Sequence, residues 1–343
     1  MTPSTTSSMT PVYNAPPPAV GGGISVVVCA YTERRWDDLI AAIESLQSQT
    51  LPPRDIILVV DHNPALLTRA REQFQGLNLI ENCLARGLSG ARNSGIKVAQ
   101  GNIIAFMDED AEAAPDWLEN LAAHYADADV MGVGGSIAPL WLAGKPCWFP
   151  DEFNWVVGCT YKGMPEQPAF VRNLIGCNMS LRRTVFDNVG GFRTGRIGTL
   201  SIGLENDDTE MCIRALQALP NLGFLFDPNT RVINHRVPAT RRSFRYFATR
   251  CFSEGMSKAR LSKNVGSQKG LSNERAYVAH TLPMGVLQGL VATLHGDMSG
   301  LGRAFAIIAG LSITVAGFIV GKVPTTATKE RHATANETAD LLS

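Results

Sequence analysis

The stretch "NIIAFMDEDAEAAPDW", residues 102–117, places three consecutive acids, Asp108, Glu109 and Asp110, directly behind an apolar run. That run has the length and composition of a buried strand. Like charges crowded at the end of a core strand cost free energy unless something positive shares them. Oxygen donors suit hard divalent cations, and Mg²⁺ or Mn²⁺ commonly takes one or two carboxylates together with phosphate oxygens of a substrate. Asp108 and Asp110, two residues apart, can both be offered to one such ion. The stretch therefore reads either as a metal site that carries a phosphate or as a solvated acidic turn, and its neighbours decide between them.

Upstream, "ISVVVCAY" (24–31), "DIILVVDHN" (55–63) and "LNLIEN" (77–82) read as further strands, separated by the helical spacings of "WDDLIAAIESLQSQ" and "PALLTRAREQF". Strand and helix alternate four times, which predicts an α/β fold with helices on both faces of the sheet. Ligands of such sheets bind at the carboxyl ends of the strands. Those ends carry Tyr31 with Glu33, then Asp61, then the acid cluster. Downstream, "DVMGVGGSIAPLW" (129–141) reads as a strand, and "GFLFDPNTRVINH" (223–235) as a strand pair ending on His235.

Two more stretches carry chemistry. "RGLSGARNSG" (86–95) reads as a loop opening a helix, in which small residues allow close approach to a ligand and Arg86 and Arg92 supply charge suited to phosphate. It is neither a P-loop nor a dinucleotide fingerprint. "GLENDDTEMCIRA" (203–215) crowds Glu205, Asp207, Asp208 and Glu210 at the start of a helix. Mutual repulsion raises the proton affinity of at least one of them, as a general base requires, although Asn206 or Asp207 equally suits a helix cap.

Taken in order, "VVVCAYTE", "IILVVDHN", "GLSGARNSG", "NIIAFMDEDAEAAPDWL", "VGGF" and "DDTEMCIR" resemble the family 2 glycosyltransferases of the GT-A fold, over residues 24 to 236. The resemblance implies a Rossmann-like mixed sheet and inverting transfer of a sugar from a nucleotide-sugar donor, most often a UDP-sugar. It places Ala30, Tyr31 and Glu33 at the nucleoside, Asp61 on the uracil or ribose, and Arg86, Ala91, Arg92 and Asn93 in a loop closing over the nucleotide. It makes Asp108 and Asp110 the metal-binding pair for Mg²⁺ or Mn²⁺, with His235 a further metal or diphosphate contact. The catalytic base falls at Asp207 or Asp208, where the family's usual glutamate is an aspartate and Glu205 is a rival. Spacing to the following arginine favours Asp208.

The ends of the chain speak to location. Residues 1–23 are rich in Pro, Ser, Thr and Gly and read as a disordered leader. Residues 237–280 begin with arginines interleaved with aromatics, as expected beside an anionic membrane. Residues 281–322 read as hydrophobic helices, with an uncharged stretch of eighteen residues from Ala304 to Gly321. A polar tail, 323–343, follows. "RRSFRYFATRCFSEGMSKA" also looks like family members that extend lipid-linked sugars, which implies a polyprenyl-phosphate or lipid-linked saccharide acceptor at the cytoplasmic face of a membrane. Seven cysteines without paired spacing suit a reducing compartment, and a balance of 31 basic and 31 acidic residues argues against a nucleic-acid partner. Among competing classes, a nucleotidylyltransferase calls for a Gly-rich loop where "CAYTERR" stands. A phosphotransferase calls for an aspartate where Cys29 and Ala30 stand, and a non-catalytic sugar-binding protein for loss of the base or the acid pair. "GKPCWFPDEFNW" (144–155) is a candidate acceptor rim, and "TGRIGTLSIG" (194–203) a candidate closing loop.

Overall fold

The computed structural model describes residues 22–194, 207–265 and 276–323. The first half comprises β1 (Ile24–Ala30), α1 (Trp36–Gln47), β2 (Asp55–Val60), α2 (Pro64–Gln73), β3 (Asn78–Glu81), α3 (Leu88–Val98), β4 (Ile103–Asp108), β5 (Ala111–Ala113) and α4 (Trp117–His124). Then come β6 (Val130–Trp141), β7 (Ala169–Val171), β8 (Met179–Arg182), α5 (Arg183–Val189), α6 (Asp207–Ala218) and β9 (Gly223–Val237). Three long helices end the described chain: α7 (Phe244–Val265), α8 (Leu282–Leu294) and α9 (Ser299–Lys322).

Every residue of β1 is buried, as a strand covered on both faces must be. Its side chains alternate between two cores. Val26 and Val28 pack with Leu39 and Ile43 of α1, Leu66 of α2 and Trp117 of α4. Val27 and Cys29 pack with Ala91 of α3, Val185 of α5 and Met211 of α6. The period of two along the strand thus fixes which helices lie on which face.

The nine strands form one mixed sheet in the order β3-β2-β1-β4-β8-β6-β9-β5, with β7 paired to β9. β1 to β4 are parallel, whereas β8 runs antiparallel to both β4 and β6, and β9 runs parallel to β6. β6 and β9 therefore point the same way as β4. Their carboxyl ends open on the side where Asp61 and Asp108 stand.

One reading of the sequence needs correction. Residues 223–237 are a single long strand, not a strand pair. Pro228, which lacks a backbone donor and suggests a break, sits where the pairing slips from Gly135 with Asp227 to Ile137 with Val232, so the strand bulges there and continues.

The arginine-rich helix α7 also faces otherwise than its pattern suggests. One of its aromatics is core: Phe247 is fully buried against Trp148, Phe149 and Phe153, while Phe244 remains 40% exposed. α9 lies along α7 at backbone contact, since a Cβ on Gly317 would meet the Phe252 carbonyl oxygen at 2.2 Å and one on Gly255 the Thr314 carbonyl oxygen at 2.0 Å. α9 is the one described helix long and apolar enough to cross a membrane. α8 and α9 carry a concentration of exposed apolar side chains, among them Leu287, Leu294, Phe305, Ile308 and Ile319.

Candidate active site

The acid cluster is completed by strand pairing. β5 turns back beside β9, setting Ala111 opposite His235, and the Arg236 N–H donates to the Asp110 carbonyl at 2.8 Å. His235 Nε2 then stands 3.7 Å from Asp110 Oδ1 and 4.0 Å from Asp108 Oδ2. These atoms converge without hydrogen bonding to one another, the spacing of ligands around a cation. Cys177, in a short 3₁₀ turn (Gly176–Asn178) leading into β8, joins them: ligand atoms of Asp108, Cys177 and His235 all lie within 4.8 Å of one another. The sequence places Asp108, Asp110 and His235 in one site, and the structure brings all three together.

Positive charge reaches this corner from Arg35, whose Nη1 lies 2.9 Å from Glu109 Oε1 and 3.1 Å from Asp110 Oδ2. It is not enough. Burial pushes the Glu109 carboxyl up to about 8, with Asp110 and Asp108 adding to the rise and Arg35 opposing it. Burial, with Asp110 beside it, likewise raises Asp108 against the pull of Arg92 and His235. Three acids with too little countercharge, an imidazole edge and a thiol form a donor set that fits a divalent ion.

Beyond β2, Asp61 is held by three donors: Asn82 Nδ2 at 2.6 Å, the Gly87 N–H at 2.9 Å and His62 Nδ1 at 2.8 Å. Burial opposes ionisation, yet these bonds outweigh it and keep the carboxyl below its ordinary value. Gly87 makes its bond from a backbone φ of +117°, which favours glycine. Ala30, buried, ends β1 and accepts from the Asp61 N–H at 2.8 Å, while Tyr31 is 54% exposed beside the Arg35 guanidinium. Glu33 is exposed on the following 3₁₀ turn.

The segment read as a loop over the nucleotide is helical from Leu88 onward, which corrects that expectation for Ala91, Arg92 and Asn93. Only Arg86, exposed, belongs to the loop. Ala91 is buried in the core between α3 and the sheet. The Asn93 amide is occupied by both backbone groups of Phe192, at 2.7 and 2.8 Å. Arg92 alone of the three faces the site. It is 3% exposed, lies between the rings of Phe106 and Phe192, and sets Nη2 3.7 Å from Asp108 and Nη1 3.4 Å from Asp207.

One guanidinium thus joins the acid cluster to the start of α6. There the two aspartates diverge. Asp207 accepts from Ser89 Oγ at 2.8 Å and from Arg92. Asp208 accepts from the Gly176 and Thr209 N–H groups at 2.9 and 2.6 Å. Burial and the neighbouring Asp207 push Asp208 up to about 6, Arg92 and the two amides opposing. Glu205 and the candidate closing loop, apart from Thr194, lie outside the described residues.

Asp208 also forms part of the wall of a cavity of about 380 Å³. The cavity lies between this corner, the aromatic turn bearing Phe153 and Trp155, and helices α7 and α9. Of the aromatics expected at an acceptor rim, Phe153 and Trp155 reach it, whereas Trp148 and Phe149 pack around Phe247.

Residues 25–190 match the model of glycosyl transferase family 2. The chain is 35% identical over 241 residues to the glucosyl-dolichyl phosphate glucuronosyltransferase of Haloferax volcanii, covering 68% of this chain and 76% of that protein. It is 26% identical over 247 residues to the succinoglycan biosynthesis protein ExoM of Rhizobium meliloti, covering 69% and 74% of the two. Among solved structures it is similar to the mannosyltransferase of Pyrobaculum calidifontis in complex with GDP-Man and Mn²⁺. The TM-score is 0.54 and the identity 18%, over 89% of this chain and 90% of that one. The fold is thus the expected GT-A arrangement. A sheet whose parallel strand ends carry the aspartate pair, an arginine helix packed across them and two acids opening α6 agree with these likenesses, and the chain belongs to the family 2 glycosyltransferases.

Proposed function

We propose that residues 24–236 catalyse inverting transfer of a sugar from a UDP-sugar to a hydroxyl of a polyprenyl-linked acceptor, with Asp208 as general base. The observation that carries this reading is the division of labour at Arg92. Its charge is directed at Asp108 and Asp207, which leaves Asp208 on the wall of an apolar cavity with a raised proton affinity. A base tuned toward neutrality and a place for a hydrophobic acceptor then adjoin.

In this reading Asp61, oriented by Asn82 and Gly87, receives the uracil or ribose, and Tyr31 covers the base. Asp108, Asp110 and His235 hold Mg²⁺ or Mn²⁺, which when bound offsets the negative charge of the donor diphosphate. Asp208 takes the proton of the acceptor hydroxyl as its oxygen bonds to the anomeric carbon. The bond from that carbon to the diphosphate oxygen breaks on the opposite face, so configuration inverts and the nucleoside diphosphate leaves. Asp207 is a positioning residue that fixes Arg92 and Ser89. The relative from Haloferax volcanii, whose name gives a dolichyl-phosphate-linked substrate, supports a lipid-linked acceptor.

The exposed apolar faces of α8 and α9 would hold the enzyme at a membrane, with α7 as the link. All seven cysteines are unpaired, Cys83 and Cys147 exposed, in keeping with the reducing cytoplasmic side.

Titration of the purified chain with a panel of UDP-sugars tests the donor half of the reading. One donor is expected to bind with Mn²⁺ present and to lose about tenfold or more in affinity in EDTA. Binding indifferent to the metal would contradict the assignment of Asp108, Asp110 and His235. Asn82→Ala leaves Asp61 without its shortest hydrogen bond, so UDP affinity is expected to fall about tenfold, an effect of about 1–1.5 kcal/mol. UDP affinity unchanged from the parent chain would remove Asp61 from the nucleotide site.

A further inference from the structure

We infer that the cavity between α6, α7 and α9 is a prenyl-phosphate site: its cations hold the phosphate of the lipid-linked acceptor, and its apolar mouth passes the isoprenoid chain out onto α8 and α9. The C-terminal helices are on this view part of the acceptor site and not only an attachment device. The inference rests on the lipid-linked acceptor proposed above and adds where that lipid sits and what recognises it.

Charge comes first. Among the described residues, Arg172, Arg250 and Lys258 line the cavity together with two carboxylates, Asp208 and Glu254, in an otherwise largely apolar chamber. Lys258 Nζ is 3.3 Å from Glu254 Oε1 and Arg172 Nε donates to Asn173 Oδ1 at 3.1 Å, so these side chains are already arrayed along the wall. An anion entering such a chamber gains charge-assisted hydrogen bonds that water does not screen.

Shape comes second. Arginine and lysine at this density would suit any phosphate, but the remaining wall is Phe153, Trp155, Leu261, Leu311 and Phe318. A free phosphate or a sugar phosphate has no use for that surface. About 380 Å³ accommodates a phosphate and the first isoprene units, not a complete polyprenyl chain. The remainder must leave, and the structure offers the exit. Val278 and Val315 both line the cavity and are both exposed, at 40% and 48%. They mark its mouth, on the side where Phe305, Ile308 and Ile319 continue the apolar surface along α9. Chemistry and direction then agree, because the base Asp208 lines the same chamber whose mouth opens on the lipid-compatible face.

Binding of farnesyl phosphate to the full chain, below its micelle concentration and without donor, tests this independently of catalysis. Farnesol and inorganic phosphate separate the two halves of the ligand, and dihexanoyl phosphatidylglycerol stands for an ordinary membrane lipid. Farnesyl phosphate is expected to bind at least about tenfold more tightly than any of the three. The double variant Arg250→Gln, Lys258→Met should lose about tenfold or more of that affinity while UDP-sugar binding stays within about twofold. Val315→Trp, which blocks the mouth and leaves every charge in place, should also weaken farnesyl phosphate binding, and it carries the test if the double variant does not fold. Farnesyl phosphate binding no better than farnesol, or equal in parent and Val315→Trp chains, would overturn the site. Equal binding of phosphatidylglycerol would make it a bilayer-lipid site and overturn it as well. A chain that binds farnesyl phosphate as described but turns over no donor would uphold this site and sink the transferase reading instead.

Discussion

Asp208→Asn is expected to lower kcat for sugar transfer by about 10²–10⁴-fold with the donor affinity nearly unchanged. Asparagine keeps the size of the side chain and can still accept from one of the Gly176 and Thr209 amides, which meet different Asp208 oxygens, but it cannot accept the hydroxyl proton. Two further readouts separate loss of a base from loss of structure. Burial and Asp207 raise the Asp208 carboxyl to about 6, so the parent rate should fall as pH drops through that value, and this acidic limb should vanish in the residual activity of the variant. Stability should move the other way. A carboxyl whose proton affinity is raised by folding makes the folded state bind more protons than the unfolded one between the ordinary aspartate value and about 6, and the protein loses stability as pH rises through that window. Removing the titrating group ends that loss, so the fall in melting temperature between about pH 4 and about 6 should be smaller in the variant than in the parent. A variant that keeps full activity would move the base to Glu205, the rival at the same helix start.

Arg92→Met is expected to be the most destabilising single change in the site. Arg92 is almost wholly buried, and its ordinary charge is reinforced: burial works against the guanidinium, but Asp207 and Asp108 outweigh it. Methionine fills part of the space between Phe106 and Phe192 but leaves Asp207, itself 7% exposed, without its cation. Breaking a buried pair from one side costs about 3–5 kcal/mol. Thermal or denaturant unfolding reads this directly. Arg92→Lys should fall between parent and methionine variant, because a lysine restores charge but cannot span both carboxylates or lie between the rings in the same way. Arg86→Ala, on the exposed loop, is the control and should change stability by less than about 0.5 kcal/mol. Equal stability of Arg92→Met and Arg86→Ala would show that Arg92 does not tie β4 to α6.

The parallel core of the fold was legible because its physics is local. β1, β2 and β4 are apolar runs buried on both faces, and the polar residues at or just after their ends, Tyr31, Asp61 and Asp108, are ones a core strand cannot otherwise explain. For the same reason Asp61, Asp108 and Asp110 stood out, and His235 did so as a histidine closing a strand. What remained hidden depends on pairing between distant segments. Cys177 reaches Asp108 only because β8 lies antiparallel beside β4, and nothing near residue 177 signals it. Arg35 is one of two adjacent arginines, and only the turn after β1 decides which of them meets Glu109 and Asp110. Asn82 shows no motif, yet it makes the shortest hydrogen bond to Asp61. The segment 86–95 does open a helix, but its glycines and serines hide where that helix begins: α3 starts at Leu88, and its close packing on the sheet, where a Cβ on Gly95 would meet Val27 at 2.5 Å, overrides their propensity. The burial of Phe247 on α7 was equally unreadable, because an amphipathic helix does not declare whether a membrane or its own domain covers its apolar side.

The most direct test is acceptor-dependent product formation: the purified full chain, one UDP-sugar, Mn²⁺ and a polyprenyl-phosphate-linked saccharide, with the lipid product read by mass and the new linkage by NMR. A lipid one sugar heavier, formed with inverted configuration and absent in EDTA, is the predicted result. Donor hydrolysed without transfer, retained configuration, or no donor consumed at all would contradict it.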